Sequence, residues 1–550
     1  MCFSRCFFNY FFKNIFLIFS LIFCLYFLIN LLLLLPYFLP AGDDLFGAKQ
    51  LAEKQFWDMN RFVFMSWDAR YTATFLSSLF FYFGGLKHYW LSGVLLLFTS
   101  FAAYYFLLLK LIPSQLNYSG LYRYVRIFIA TFLFLIAYLI IAKPGAIGGA
   151  QFVLVGQFFY SAGAYCYQTS IIFTVLILGC LINLNKYLNK NLNFKKLKIK
   201  KLKITGLVII ILFLLFLLAG TNEGTAIMMA LVLIYGVYQS AKSASAKSGN
   251  NLKLNLFLVF LFTLLVLMVV VIQSPGDQNR MLYYQLKSDE IPGTHDFVLS
   301  FGLAIWQSFF LIFYFVLNPL SWLLVSLISP ELKMFRKFRK NLAPSEDYFL
   351  ITLGLIFVGF FLVAWTMGRL APPRYYGVMA TLGFFISLDF LIGFWEFLEL
   401  KILKINGLKK LLKNKNYVLN IFQIFCIVIL IIFNTQLIPL ISNVHQARLT
   451  AQEFDRVYFS IVHDLKQAQK LGKKQIILKP DQVFPTAPIL DYFIAYQKSL
   501  VPHKLTDVQR RDALAKDLAV YYGVDTVLLE QVGPAGSSLI TIHSLGLGRH

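Results

Sequence analysis

The chain begins with an apolar run that leads directly into two adjacent carboxylates: 15-IFLIFSLIFCLYFLINLLLLLPYFLPAGDDLFGAK-49. The run from Ile15 to Leu35 has 21 residues, and a helix needs about 20 to cross the hydrocarbon core of a bilayer. It exceeds the roughly 7 to 15 apolar residues of a secretory signal, and no clear cleavage site follows it. We therefore predict a retained first membrane span, with Asp43 and Asp44 just beyond it at the membrane surface.

The composition extends this prediction to the whole chain of 550 residues. Hydrophobic residues make up 59% and charged residues 14%, and the mean hydropathy is +0.69, whereas soluble domains carry about 25% charged residues. The net charge of +24 arises from lysines and arginines between apolar runs, which is typical of membrane topology rather than of nucleic-acid binding. The six cysteines contain no CxxC pair, so neither a disulfide framework nor a cysteine metal site is indicated.

Apolar runs of span length recur along the chain and predict about 11 transmembrane helices. They lie near 15–35, 90–110, 127–142, 167–184, 204–219, 225–239, 256–272, 298–328, 347–367, 375–396 and 417–439. The run 298–328 is interrupted by Asn318-Pro319 and is predicted as a kinked helix or a helix with a re-entrant piece. The mixed stretch 71–85 is too short for a span, and we predict an interfacial helix there.

Alternate connections between these runs hold the basic residues, with eight lysines in 185–203 alone. Because Lys and Arg favour the cytoplasmic side of the cytoplasmic (inner) membrane, we predict a cytoplasmic N-terminus for this multi-pass protein. The outer connections are then 36–89, 143–166, 220–224, 273–297, 368–374 and the tail.

The tail changes character near His445. The pattern from there predicts a small α/β unit. It consists of an amphipathic helix that reaches about Gln469, a helix near 507–521 and strands at 475–480, 525–532 and 538–543. The predicted architecture is therefore an all-α polytopic membrane domain, residues 1–440, with 36–89 as its first outer loop. A C-terminal α/β extracytoplasmic (periplasmic) domain, residues 441–550, follows it.

The predicted outer connections contain charged side chains that a helical bundle would bring together at one membrane face. They are Asp43, Asp44, Glu223 and Asp277 with Arg70, Arg280, Arg369 and Arg374. Each has an ordinary alternative, because acidic residues cap helices and arginines anchor at interfaces. Together they predict a site in which arginines hold a lipid phosphate and a carboxylate acts as general base on a hydroxyl.

Several short motifs resemble those of the GT-C superfamily of multipass glycosyltransferases, which use polyprenyl-phosphate-linked sugars. The resemblance is to a poorly characterised bacterial branch. Its elements here are Asp43-Asp44, Trp67-x-x-Arg70-Tyr71, Gly163-Ala164-x-x-Tyr167, Asn222-Glu223 and Pro275-Gly276-x-x-x-Arg280, with a similar outer tail. That branch often has Asn at the position of Asp277 and Trp at that of Tyr160.

The resemblance implies inverting transfer of a sugar from a polyprenyl-phosphate donor to an acceptor hydroxyl of a glycan, lipid or protein at the outer membrane face. Asp43 or Asp44 would be the general base, and Arg280 and Arg374 would hold the donor phosphate. The side chains that would shape the pocket are Arg70, Asn222, Glu223, Asn279 and Arg369. We expect no metal, cofactor or nucleic acid. The alternatives are an oligosaccharide ligase or polymerase, a translocator of lipid-linked saccharides, and a non-catalytic scaffold.

Overall fold

The computed structural model describes most of the helical part of the chain and pieces of the tail. Described are residues 20–33 except 23, 27, 30 and 31, then 43–66, 69–85, 88–111, 120–139, 164–188, 197–246, 251–288, 296–317, 321–322, 345–367, 378–383, 444–473, 475–478, 526–533 and 536–544.

Long helices form wherever these residues coincide with a long apolar run. In chain order the helices of the membrane part are α1 (Asp43–Glu53), α2 (Phe56–Ser66), α3 (Tyr71–Gly84), α4 (Trp90–Leu111), α5 (Gly120–Leu139), α6 (Thr169–Leu188, preceded by a π-helical turn, Ala164–Gln168), α7 (Leu197–Ala219), α8 (Glu223–Ala246), α9 (Asn251–Ile272), α10 (Pro275–Ser288), α11 (Phe297–Leu317) and α12 (Ser345–Met367). Residues 378–383 are also helical.

Six helices among the described residues are long and apolar enough to cross a membrane, so the protein is a multipass membrane protein. They are Trp90–Leu111, Ala164–Leu188, Lys201–Ala219, Glu223–Lys242, Leu252–Ile272 and Phe297–Leu317. Each coincides with a predicted span. The last covers the first part of the predicted run 298–328, and the interruption predicted at Asn318-Pro319 lies outside the described residues.

The other five predicted spans are covered only in part. The run 127–142 falls in α5 and the run 347–367 in α12, which contains the shorter apolar helix Leu350–Trp365. Of 15–35 and 375–396 only some positions are described, all of them helical. The run 417–439 lies outside the described residues, so the total of eleven stays a prediction.

Among the described residues two large apolar cores stabilise the bundle, and α6 contributes to both. The first core combines α4, α5 and α6 with α11, α12 and residues 378–380. The second core combines α6 with α7, α8 and α9. Helix α9 exposes large apolar side chains such as Phe262, Val269 and Val270, as expected of a helix at the lipid-facing edge of a bundle.

The described residues of the predicted first outer loop form three helices, α1, α2 and α3. Of these helices the sequence predicted the one at 71–85, which corresponds to α3. Helix α2 packs on α3 through Phe56, whose ring centroid is 5.5 Å from that of Phe75, and it also contacts α10. This arrangement joins the first outer loop to the segment that follows α9.

The described part of the tail contains helix α13 (Val444–Lys470) and strands β1 (Gln475–Leu478), β2 (Thr526–Gly533) and β3 (Gly536–Ser544). Helix α13 packs against β1. Strands β1 and β2 are parallel, whereas β2 and β3 are antiparallel. The predicted helix at 507–521 lies outside the described residues, as does the proposed boundary near 440, so a separate α/β domain stays a prediction.

Candidate functional site

Two ion pairs join three of the predicted outer connections at one end of the helices. The Arg70 guanidinium contacts the Glu223 carboxylate through Nε, 3.2 Å from Oε1 and 3.3 Å from Oε2, and through Nη2, 2.9 Å from Oε2. The Arg280 Nη2 donates to the same carboxylate, 2.6 Å from Oε1. One carboxylate therefore lies between two guanidiniums, and we call Arg70, Glu223, Asp277 and Arg280 the ion-pair cluster.

Asp277 completes this cluster from within α10. Its Oδ1 lies 2.5 Å from Arg280 Nη2, and its side chain is only 2% exposed. The Arg280 guanidinium is thus placed between the carboxylates of Glu223 and Asp277. A buried carboxylate is costly without a positive partner, so the position of Asp277 is explained by this arginine.

The backbone around Gly220 fixes Arg70 to the turn that carries Glu223. The amides of Thr72 and Ala73 donate to the Gly220 carbonyl at 2.9 and 3.1 Å. A Cβ on Gly220 would lie 2.6 Å from Thr72 Oγ1 and closer still to the Tyr71 ring. The absence of a side chain at Gly220 therefore permits the close approach of the two segments.

The hydroxyl of Tyr71 adds a second contact to the same helix end, because it donates to the Phe216 carbonyl at 2.5 Å. Burial raises the pKa of the Tyr71 phenol well above its ordinary value, so the hydroxyl keeps the proton that it donates. Arg70 is the residue immediately before Tyr71 and is held in place by these contacts.

Capping side chains position the two acidic residues. Asn222 precedes α8 and accepts from the Thr225 amide through Oδ1 at 3.1 Å, which places Glu223 in the first turn of the helix. Ser274 precedes α10 and accepts from the Asp277 amide through Oγ at 3.3 Å. Both acidic side chains lie at helix N-termini, where the helix dipole favours negative charge.

The second outer connection reaches the cluster through the π-helical turn. The Arg70 Nη1 lies 3.8 Å from Cys166 Sγ. Within the same turn Gln168 is fully buried and donates to Ser100 Oγ at 2.7 Å. The turn is therefore anchored in the first core while its cysteine faces the cluster.

The described structure brings together four of the eight charged side chains that the sequence placed in the outer connections: Arg70, Glu223, Asp277 and Arg280. Asp43 and Asp44 form the first turn of α1, but their side chains lie outside the described part. Arg369 and Arg374 also lie outside it. The predicted roles of these four residues stay predictions.

The two predicted asparagines have other contacts. Asn222 is buried and caps α8, which is the alternative role that its position in a turn allowed. Asn279 is exposed, and its Nδ2 lies 3.3 Å from the Ser66 carbonyl at the end of α2. Their predicted contribution to a substrate pocket stays a prediction.

Three residues of the site were not assigned a role from the sequence. Asp277 had been counted among the outer carboxylates without a partner, and Gly220 and Cys166 had not been singled out as site residues. The serine three residues before Asp277 is the local signal that a capped helix begins there. The contacts of Gly220 and Cys166 depend on segments far away in sequence.

The formal charges of the ion-pair cluster balance, since two guanidiniums face two carboxylates. Such a cluster stabilises an anion only if a carboxylate moves or if other guanidinium N–H groups face the anion. Within the described residues no group of three or more His, Cys, Asp or Glu side chains could hold a metal ion. The expectation that the protein uses no metal stays a prediction.

Comparisons of the chain with protein-family models, with curated proteins and with solved structures found no match.

Proposed function

We propose that the protein is a membrane glycosyltransferase that moves a sugar from a polyprenyl-phosphate donor to an acceptor hydroxyl at the outer face of the cytoplasmic membrane. One observation carries the proposal: arginines and carboxylates from separate connections meet at one end of the membrane helices. Ionisable groups at membrane depth are costly and by default mark a functional site.

The location of the cluster supports a substrate whose phosphate lies at the membrane surface. Glu223 directly follows the turn after α7, and the opposite end of α7 begins in the lysine-rich segment 185–203. Because lysine-rich connections favour the cytoplasm, the cluster belongs to the outer face. A polyprenyl carrier keeps its phosphate at that level.

The chemistry assigned to the site is an inverting displacement. The acceptor oxygen attacks the anomeric carbon, the bond from that carbon to the phosphate oxygen breaks, and the polyprenyl phosphate leaves with the electron pair. Asp43 or Asp44 accepts the proton of the acceptor hydroxyl. The leaving phosphate gains negative charge during this step, and arginines near it stabilise that charge.

Arg280 and Arg70 are the described candidates for that electrostatic role, with Arg369 and Arg374 proposed beside them. Glu223 and Asp277 orient Arg280 in the absence of donor. Binding of a donor phosphate would then weaken the contact of Glu223 with one guanidinium, so that the phosphate takes the place of a carboxylate oxygen. Arginine suits this exchange because its planar guanidinium binds carboxylate and phosphate in the same geometry.

The test uses the purified protein in proteoliposomes with a panel of radiolabelled polyprenyl-phosphate sugars and a crude envelope fraction as acceptor. The wild type should transfer label from one of these carriers. Asp43→Asn or Asp44→Asn should lower the rate by about 10² to 10⁴, the range for loss of a general base. Asp58→Asn is the matched control, because Asp58 is an exposed carboxylate of the same outer loop.

Transfer that continues at the wild-type rate in both the Asp43 and Asp44 variants would refute the assigned base. Loss of transfer in the Asp58 control as well would indicate a general disturbance of the loop. If no carrier loses label although it binds, a flipping assay with fluorescent lipid-linked saccharide tests the translocator alternative. Movement of the carrier without chemistry would overturn the transferase proposal.

A further inference from the structure

Helices α2 and α3 expose an unusual number of large apolar side chains for a loop outside the membrane. Trp57 is 71% exposed, Phe62 43%, Met65 48%, Tyr82 60% and Phe83 78%. We call these five residues the outer aromatic surface. Soluble surfaces rarely carry so many large apolar groups close together without a binding partner.

The exposed face of α2 is mixed in character. Trp57, Phe62 and Met65 share it with two charged residues, Asp58 and Arg61. The opposite face is apolar too. It buries Met59, whose Sδ lies 3.2 Å from Ser78 Oγ of α3. A helix with apolar groups on both faces and a few charges on the outer one suits the boundary between headgroups and acyl chains.

Hydrogen bonds place both helices at the level where membrane helices end. The first turn of α3 is bonded through Thr72 and Ala73 to Gly220, the residue directly after α7. The last residue of α2, Ser66, accepts from Asn279 in α10, which begins three residues after α9 ends. One end of each helix is therefore fixed near the end of a span.

A helix with an exposed apolar side follows the outer aromatic surface directly along the chain. Six residues after α3 ends, α4 begins. Its exposed side starts with Leu91, Leu95 and Phe98, which belong to a membrane-spanning helix. The exposed aromatic groups at the end of α3 and the exposed face of α4 are thus consecutive along the chain.

We propose that the outer aromatic surface lies in the interfacial layer of the lipid bilayer and that α2 and α3 are partly immersed there. The partner is the lipid itself, since Trp and Tyr side chains favour the headgroup level of membranes and the neighbouring span surface is apolar. As a result, the ion-pair cluster, which includes Arg70, is located at the boundary of the lipid bilayer rather than on a domain that projects from the membrane. The inference does not depend on the proposed transferase activity.

The test places an environment-sensitive fluorescent amino acid at position 57, 62 or 83 by codon suppression, in full-length protein reconstituted into phosphatidylcholine and phosphatidylglycerol vesicles. Gln55 is the matched control position, because it is exposed but lies outside the outer aromatic surface. Quenching is measured with lipids brominated on the acyl chain near the headgroup and, separately, with aqueous iodide.

Lipid contact predicts blue-shifted emission at 57, 62 and 83, loss of emission with brominated lipid and little loss with iodide, whereas position 55 responds mainly to iodide. Equal iodide quenching at all four positions would assign the surface to water and overturn the proposal. Protection from both quenchers would assign it to a second protein chain, which also overturns the proposal. A Trp57→Phe variant of the unlabelled protein provides a second check, since its total tryptophan quenching by brominated lipid should fall.

Discussion

Substitution of Glu223 by glutamine tests whether the ion-pair cluster exists as described. The change removes the Glu223 negative charge, which contacts both Arg70 and Arg280. Arg280 keeps the Asp277 carboxylate at 2.5 Å, and Arg70 keeps Cys166 Sγ at 3.8 Å. The cost therefore comes mainly from the loss of the Glu223 contacts with both arginines and from repulsion between the two guanidiniums.

The magnitude follows from the exposure of the partners. Removing one partner of a fully buried pair costs about 3 to 5 kcal/mol, and exposed pairs contribute less than about 1 kcal/mol. The side chains of Glu223, Arg70 and Arg280 are 24%, 20% and 14% exposed, which is closer to the buried case. We expect Glu223→Gln to lower the free energy of unfolding by about 2 to 4 kcal/mol.

The assay is unfolding by SDS in mixed micelles, with a double-mutant cycle that adds Arg70→Gln. Residues in direct contact should show a coupling free energy of about 0.5 to 3 kcal/mol. The double variant should be more stable than the sum of the single losses predicts, because removal of Arg70 relieves the repulsion left by Glu223→Gln. Asp58→Asn is the control and should change stability by less than about 0.5 kcal/mol. A Glu223→Gln loss no larger than that of the control, with no coupling to Arg70, would refute the geometry of the cluster.

Three further substitutions probe single contacts by the same unfolding measurement. Gly220→Ala should cost about 1 to 3 kcal/mol by overpacking against α3, whereas Gly206→Ala, with open space around its Cβ position, should be neutral or stabilising; equal effects would contradict the close approach at Gly220. Asn222→Ala should cost about 0.5 to 2 kcal/mol through loss of the cap on α8, and an unchanged stability would mean that the cap contributes nothing. Tyr104→Phe should cost about 0.5 to 1.5 kcal/mol because its buried hydroxyl is 2.5 Å from Thr381 Oγ1, and a more stable variant would argue against that hydrogen bond.

The membrane helices were predictable because hydrophobic length is a local property of the sequence. A run of about 20 apolar residues has few alternatives to a span, and each of the six long apolar helices falls on a predicted one. Helix α2 was missed because Asp58 and Arg61 interrupt its apolar residues and leave no clear stripe. The π-helical turn Ala164–Gln168 was also missed, since its buried packing against α4 has no local signal.

The sequence predicted where the site lies but not which acidic side chain each arginine contacts. Alternation of the connections indicated that Arg70, Glu223 and Arg280 share one membrane end. It did not indicate which acid each arginine contacts, because the partners are separated by 153 and 57 residues in sequence. The sequence emphasised Arg280 as a phosphate ligand, whereas in the structure it contacts two carboxylates.

Helix α6 belongs to both apolar cores, and this has a consequence for the order in which the protein assembles during synthesis. The second core needs only chain up to α9, so it can form as soon as Ile272 has entered the membrane. The first core cannot be completed before α11, α12 and the residues near 380 are present, and these are synthesised later. Until then one side of α6 has only part of its partners, and the buried Gln168 that precedes it keeps its hydrogen bond to Ser100 of α4. The early half of the bundle thus acts as the template on which the late helices dock.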